Sequence, residues 1–272
     1  MQQFTFQLLL KDSNQQVPNI PPYIFRGVVM DFLNTVDPKF VAELHQPNEI
    51  RPYAIAVTRE PPFLNLRLVC LQEAMSQAIL QRLMTEENIP LMIAGWEFVM
   101  VRINIESIPL VNLMREPQQV VKFELRFLMP TYFNIRDRPI DMRFPEPVFL
   151  FPNLAKVWNQ YAAAECQVDE GEFYQWVSQH VSVSSYKLQT RPVKIDRQVK
   201  VFGCVGWARY LNNDPANMYA NWVDILLRFA EYVNVGGNRT AGCGVIRYEV
   251  LEVEGLQGRS PNQQLQESRD NV

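Results

Sequence analysis

His45 and Arg51 are the two residues of this 272-residue chain whose types and spacing best fit proton transfer at a phosphate. A histidine can take a proton from a hydroxyl, and an arginine six residues on can neutralise charge growing on a phosphoryl group. Such a pair suits metal-free RNA cleavage, in which a ribose 2′-OH attacks its own phosphate, and no cofactor is called for. Phe40, Val41 and Leu44 form the apolar face of a short helix, opened by the cap Asp37 and the first-turn proline Pro38, and His45 stands at its end. A helix C-terminus favours imidazolium. The following Gln46-Pro47-Asn48-Glu49-Ile50 would leave the ring reachable. A surface capping role accounts for the same spacing and stays open. The other histidine, His180, follows Val177 by three and Trp176 by four on an apolar helical face, and reads as a packed or boundary residue.

A second candidate is the loop from Asn234 to Gly244, which holds Gly236, Gly237, Gly242 and Gly244 and one charge, Arg239. Bare backbone N–H groups and a planar cation both match phosphate oxygens. A helix C-cap at Gly236-Gly237 with a bulge at Gly242 and Gly244 accounts for these glycines equally. The loop is not a Walker loop, because the Gly-Lys-Ser/Thr ending is missing and it follows a helix rather than a strand. The same order excludes a dinucleotide fingerprint. A third candidate is the basic stretch Lys187, Arg191, Lys194, Arg197 and Lys200, interrupted only by Asp196. Pro192 and the valine and isoleucine content favour a strand or hairpin there. With Tyr186 it would make an RNA surface, and a solvated face is the plain alternative. Arg136, Arg138 and Arg143 form a second cluster, diluted by Asp137 and Asp141.

The net charge of −3 speaks against a surface that binds nucleic acid everywhere and confines any such site to a local patch. A hydrophobic fraction of 47% suffices for a full core. Cys70, Cys166, Cys204 and Cys243 form no CxxC pair, and with two histidines they make no zinc site. Free thiols and the lack of a signal peptide point to the cytoplasm, and the apolar runs are too short for a membrane span.

The elements that must position these residues follow from periodicity. Strands are expected over Phe4–Leu10, Phe63–Leu71 and Trp96–Ile105, with helices through Phe25, Val28, Val29, Phe32, Leu33 and Val36 and over Gln72–Met84. The order β-α-β-β-α-β fits a ferredoxin-like unit. The order recurs from Val120. A strand ends near Leu128, helices run through Leu154–Tyr161 and Glu170–His180, and strands follow near Tyr186–Ile195 and Lys200–Tyr210. Trp222, Ile225, Leu226, Phe229 and Val233 then mark a helix before the glycine loop, and a last strand follows from Val245. The expected fold is α+β, two tandem ferredoxin-like (RRM-like) domains with antiparallel sheets, over residues 1–119 and 120–257. The polar tail 258–272 reads as disordered.

Three segments, in this order and at these distances, resemble the CRISPR repeat-processing endoribonucleases of the RAMP superfamily. The first is Asp37 to His45 with Arg51-Pro52-Tyr53-Ala54-Ile55. The second is Phe127 to Phe133 with Phe144-Pro145-Glu146-Pro147 and Trp158-Asn159. The third is the glycine loop, read as Asn234-Val235-Gly236, five residues, then Gly242-Cys243-Gly244. They are islands within residues 4–252. The resemblance implies RNA held along the junction of two domains, and cleavage within each repeat of a precursor transcript to release guide RNAs. His45 would be the acid or base, Arg51 the cation on the scissile phosphate, and the glycine loop a support near the first helix. Lys187, Arg191, Lys194, Arg197, Lys200 and Arg239 are the expected RNA contacts. Repeat RNA is the expected partner, with room for other subunits of an effector complex and none for a membrane. The sequence departs from the family twice. Met30 stands where some members have a tyrosine, and Asn234 takes the place of the first glycine. Met30 cannot donate a hydrogen bond, which leaves room for a non-catalytic RNA-binding subunit. A mononucleotide-binding enzyme is a third reading.

Overall fold

The computed structural model describes residues 1–12, 18–34, 38–44, 50–85, 89, 91–135 and 140–255. The first half forms β1 (Gln2–Leu10), α1 (Tyr23–Asn34), α2 (Pro38–Leu44), β2 (Tyr53–Glu60), β3 (Phe63–Cys70), α3 (Glu73–Thr85), β4 (Leu91–Ile93), β5 (Trp96–Ser107) and the single turn α4 (Leu110–Leu113). Phe4, Phe6, Leu8 and Leu10 alternate along β1 and all point into a core closed by Phe25, Val29 and Phe32 of α1 and by Met75 and Ile79 of α3. The period of two in the strand and of three to four in the helix are thus two halves of one buried surface. The strands form an antiparallel sheet in the order β2-β3-β1-β5-β4, in which β4 pairs only with the first three residues of β5.

The second half repeats the scheme with β6 (Val120–Thr131), α5 (Pro147–Tyr161), α6 (Glu170–His180), β7 (Val181–Lys194), β8 (Lys200–Asn212), α7 (Met218–Val233) and β9 (Ile246–Val253), in the sheet order β7-β8-β6-β9. Both sheets place the fourth strand of the unit beside its first and the third on the other side, the ferredoxin-like arrangement expected. Aromatic rings fill the second core. Trp158 of α5 packs edge-on against Trp222 and Phe229 of α7, and Phe123 of β6 stacks on Tyr210 of β8 at 4.9 Å. Asp169 starts α6 by accepting the Glu172 backbone N–H at 2.8 Å.

The strands depart from the sequence reading at several ends, most at β2 and β7. β2 gave no strand pattern because Tyr53 to Ala56 are buried without a break. One face meets the first core and the other meets the second domain, so the alternation of a half-wet strand is lost. β7 begins directly at Val181, five residues before the expected Tyr186. Its start, Ser-Val-Ser-Ser, lies on an edge strand and is largely exposed, so it carries no apolar signal. The basic stretch is the β7–β8 hairpin. Met30 packs against the first core. Among the described residues no helix is long and apolar enough to cross a membrane. The tail 258–272 lies outside the described residues.

Burial divides the four cysteines. Cys70, Cys204 and Cys243 are buried, whereas Cys166, on a short turn after α5, is partly open. Burial pushes the Cys204 and Cys243 thiols up to about 12 and that of Cys70 higher still. At pH 8 these three are protonated as well as covered, and the thiolate is the reactive form. A thiol reagent should therefore titrate one cysteine quickly in the native protein and the other three only after denaturation; fast native reaction of more than one would contradict this packing.

Candidate functional site

The two domains meet at the loop that follows α7. Asn234 takes φ 61°, outside the range most side chains accept, and is completely buried. Its amide nitrogen donates to the Ile55 carbonyl of β2 at 2.8 Å and its oxygen accepts from the Arg67 guanidinium of β3 at 3.4 Å. Asparagine at this place therefore does more than tolerate the turn, because it ties the second domain to the first sheet. Gly242, at φ +78°, lies so close to Pro22 that a Cβ would come within 2.6 Å of the proline ring, just ahead of α1. A Cβ on Gly244 would collide with the Val235 carbonyl oxygen. Between these glycines, Arg239 to Ala241 form one 3-10 turn packed on β2 and α1.

Arg239 is not the open cation that the sequence suggested. It is 8% exposed, and its guanidinium donates to the Val233 carbonyl at 3.1 Å and to the Arg51 carbonyl at 3.4 Å. Burial lowers its pKa to about 10, so it stays charged at neutral pH. Val233 is the last residue of α7, where unpaired carbonyls carry partial negative charge, and this offsets part of the desolvation. Arg239 thus braces the loop against Arg51, in the segment that leads into β2.

Arg239 also forms the floor of a cleft of about 420 Å³ between the domains. Arg26 of α1, Arg51 ahead of β2, and Asn153 and Lys156 of α5 line it, together with Asn134, Asn238 and Thr240. Four cations and no carboxylate are among the lining residues. Asn153 and Lys156 stand three apart and share a helix face. Asn153 holds the loop by accepting the Gly236 backbone N–H at 2.9 Å, which leaves Lys156 as the exposed group. Arg51 has a buried guanidinium nitrogen, Nη1, with no hydrogen-bond partner among the described residues. A buried guanidinium N–H without an acceptor is costly, and an anion in the cleft would satisfy it. Next to Arg51, Tyr53 is raised to about 12, mainly by burial, with Arg26 and Arg51 pulling it back, and its hydroxyl is hydrogen-bonded to Thr240. It remains a neutral phenol. Among the described residues, no group of three or more His, Cys, Asp or Glu is placed to hold a metal ion.

His45 lies outside the described residues. It follows directly on Leu44, a buried residue at the end of α2. The chain is picked up again at Ile50, which lines the cleft and whose carbonyl accepts the Tyr161 hydroxyl at 2.6 Å. His180 is a boundary residue, bonded through Nδ1 to Asn213 at 2.8 Å and stacked on Trp176.

Lys187, Arg191, Lys194, Arg197 and Lys200 are all exposed on the β7–β8 hairpin and its tip, and none of them lines the cleft. Strand alternation divides them. Lys187 and Arg191 share the face that carries Trp207, while Lys194 and Lys200 pair with each other on the opposite face. Lys187, Trp207, Arg126 and Arg247 then form one row across all four strands of the second sheet. Glu124, buried beneath this row, binds the Arg126 and Arg209 guanidinium groups at 2.8 Å each, and Arg209 lies 4.9 Å from the Trp207 ring centre. At the hairpin tip, Asp196 reaches Arg26 of the cleft at 3.4 Å. Lys156 and Arg26 were missed from sequence. Lys156 had a signal, being the only charged residue in α5.

Comparison with known proteins agrees with this geometry. Residues 125–246 match the model of the CRISPR-associated endoribonuclease Cas6 family. The resemblance to CRISPR repeat-processing endoribonucleases of the RAMP superfamily, drawn above from three segments, is borne out. Among solved structures, this chain is similar to a Thermus thermophilus Cas6 product complex, with a TM-score of 0.77 and 18% identity over 91% of this chain and 98% of that one. A second Cas6 product complex gives 0.73 and 22% over 92% and 100%. A protein described as an RAMP protein binding different RNA substrates gives 0.57 and 13% over 93% and 100%. At these identities the shared property is the fold. A comparison with curated proteins finds no match.

Replacing Asn234 by alanine should cost about 3 kcal/mol, from an unsatisfied Ile55 carbonyl together with strain at positive φ. Replacement by glycine should cost less, because it removes the strain. Thermal unfolding of both variants checks this order, and equal melting points would show that the cross-domain bond, rather than the turn, sets the requirement.

Proposed function

We propose that this chain binds CRISPR repeat RNA across its domain junction and cleaves it within the cleft without a metal. The observation that carries this reading is the Nη1 of Arg51, unpartnered among the described residues, in a cleft whose described lining holds four cations and no carboxylate. A phosphodiester is the polyanion such a cleft suits, and the printed descriptions of the similar structures, Cas6 product complexes, support RNA as the ligand. In the proposed step His45 takes the proton of a ribose 2′-OH. The 2′-oxygen attacks the adjacent phosphorus and the bond from phosphorus to the 5′-oxygen breaks. The leaving 5′-oxygen takes up a proton. The products are a 2′,3′-cyclic phosphate and a 5′-OH.

Arg51 and Lys156 have the role of neutralising charge on the non-bridging oxygens, so that side chains of the protein supply the electrostatic stabilisation. Their placement on different domains means that substrate bound to both is oriented by both. Lys187 and Arg191 would hold flanking RNA on the hairpin, where Trp207 in the same cation row offers a surface for a base.

His45→Ala should lower repeat cleavage by roughly a hundred- to ten-thousandfold, and Lys156→Ala by about a hundredfold, with repeat binding largely kept for the histidine variant. EDTA should leave the rate unchanged. Cleavage of labelled repeat RNA with mapped ends reads all three. An undiminished rate in His45→Ala would remove the base, loss of activity in EDTA would remove the metal-free scheme, and binding without any cut by the unaltered chain would make it an RNA-holding subunit.

A further inference from the structure

The first sheet ends in an open edge. β4 covers only Trp96 to Phe98 of β5, whereas β1 pairs with β5 from Phe98 to Ser107. Among the described residues the outer side of β5 from Val99 onward has no strand partner, although its backbone groups need one or must stay in water. The same segment carries exposed Val99, Val101 and Ile105, and exposed Met92 and Val111 sit on β4 and α4 at its two ends. Proteins ordinarily protect such an edge with a charge on each stretch or a bulge turned outward. β5 has one bulge, at Val101, where its pairing with β1 steps from Met100 to Arg102, and beyond it the charges have a different pattern.

Beyond this bulge, Arg102, Asn104 and Glu106 share one face of β5, and Ile103 and Ile105 share the other. We propose that this edge pairs with the same edge of a second copy of the chain, antiparallel about a two-fold axis at Asn104. In that register Arg102 lies opposite the Glu106 of the other copy, and the reverse pair repeats on the far side of the axis. Ile103 lies opposite Ile105 on the other face, twice. Shifting the axis by one residue, to Ile103 or Ile105, removes both Arg–Glu pairs. An axis at Arg102 or Glu106 sets like charges directly opposite, which is unfavourable. The sequence is therefore self-complementary in one register, as a two-fold interface requires. Glu106 accepts from Gln3 at 3.3 Å through one carboxylate oxygen and has the other for a partner. The paired edges join the two first-domain sheets into one ten-stranded sheet and set the exposed Ile105 of each copy beside Ile103 of the other. The interface lies on β5, away from the cleft, whose lining residues come from α1, α5 and the loops around Arg51 and Arg239.

Sedimentation of the full chain over a concentration series tests this. The unaltered protein should dimerise, and added salt should weaken the dimer. Arg102→Glu and Glu106→Arg should each weaken it by about tenfold or more, because each places like charges opposite twice. The two variants mixed in equal amounts should pair with each other, since every opposition is then between unlike charges. The double variant Arg102→Glu, Glu106→Arg should dimerise as the unaltered chain does. A monomer at every concentration, a dimer indifferent to the single changes, or no pairing in the mixture overturns the proposal. The last two outcomes would also assign the exposed edge to another segment or another protein.

Discussion

One buried guanidinium decides how the two halves of this molecule sit. Removing a cation from water is expensive unless its N–H groups find acceptors. Arg239 finds them in the carbonyl that ends α7 and in the carbonyl of Arg51, one in each domain. Asn234 adds a second crossing at Ile55. A change in the angle between the domains would leave a charge and an amide buried without partners, so the junction resists motion more than an interface of apolar contacts would. The cleft inherits that stiffness. Arg26, Arg51 and Lys156 come from three separate elements, and the brace beneath them keeps their spacing.

The second sheet shows the same device used on its open face. Glu124 is almost completely buried and binds two arginines, which fixes the heads of Arg126 and Arg209 and sets one of them against Trp207. Without that carboxylate both arginines would move freely and repel each other. A negative group beneath a positive row is therefore compatible with a surface for polyanions, and it lets a chain of net charge −3 concentrate cations locally.

The sequence made legible whatever repeats along the chain. Strands β1 and β3 and helices α1 and α6 each have one dry and one wetter side, and alternation or three-and-four spacing records that. β2 was silent because both its sides are dry. The glycine loop could be found but its purpose could not. Asn234 meets Ile55 across 179 residues of chain, and no local pattern encodes such a contact. Arg239 misled for a related reason, since a lone charge among glycines looks open to solvent and burial is a property of the fold. Lys156 was readable, as the one charge in an apolar helix, but its meaning needed the helix to be placed. His45 and Arg51 rested on a short spacing and a family likeness, and only the arginine falls within the described residues.

The distance along the chain between the two walls of the cleft has a consequence for biosynthesis. Arg239 and the carbonyl it braces are 188 residues apart, and β9, which completes the second sheet beside β6, comes after the loop. A ribosome delivers the first sheet, α1 and Arg51 long before it delivers the brace. Partly made chains can therefore fold their first half and still lack a ligand-binding groove. Capture of a polyanion waits for the end of translation.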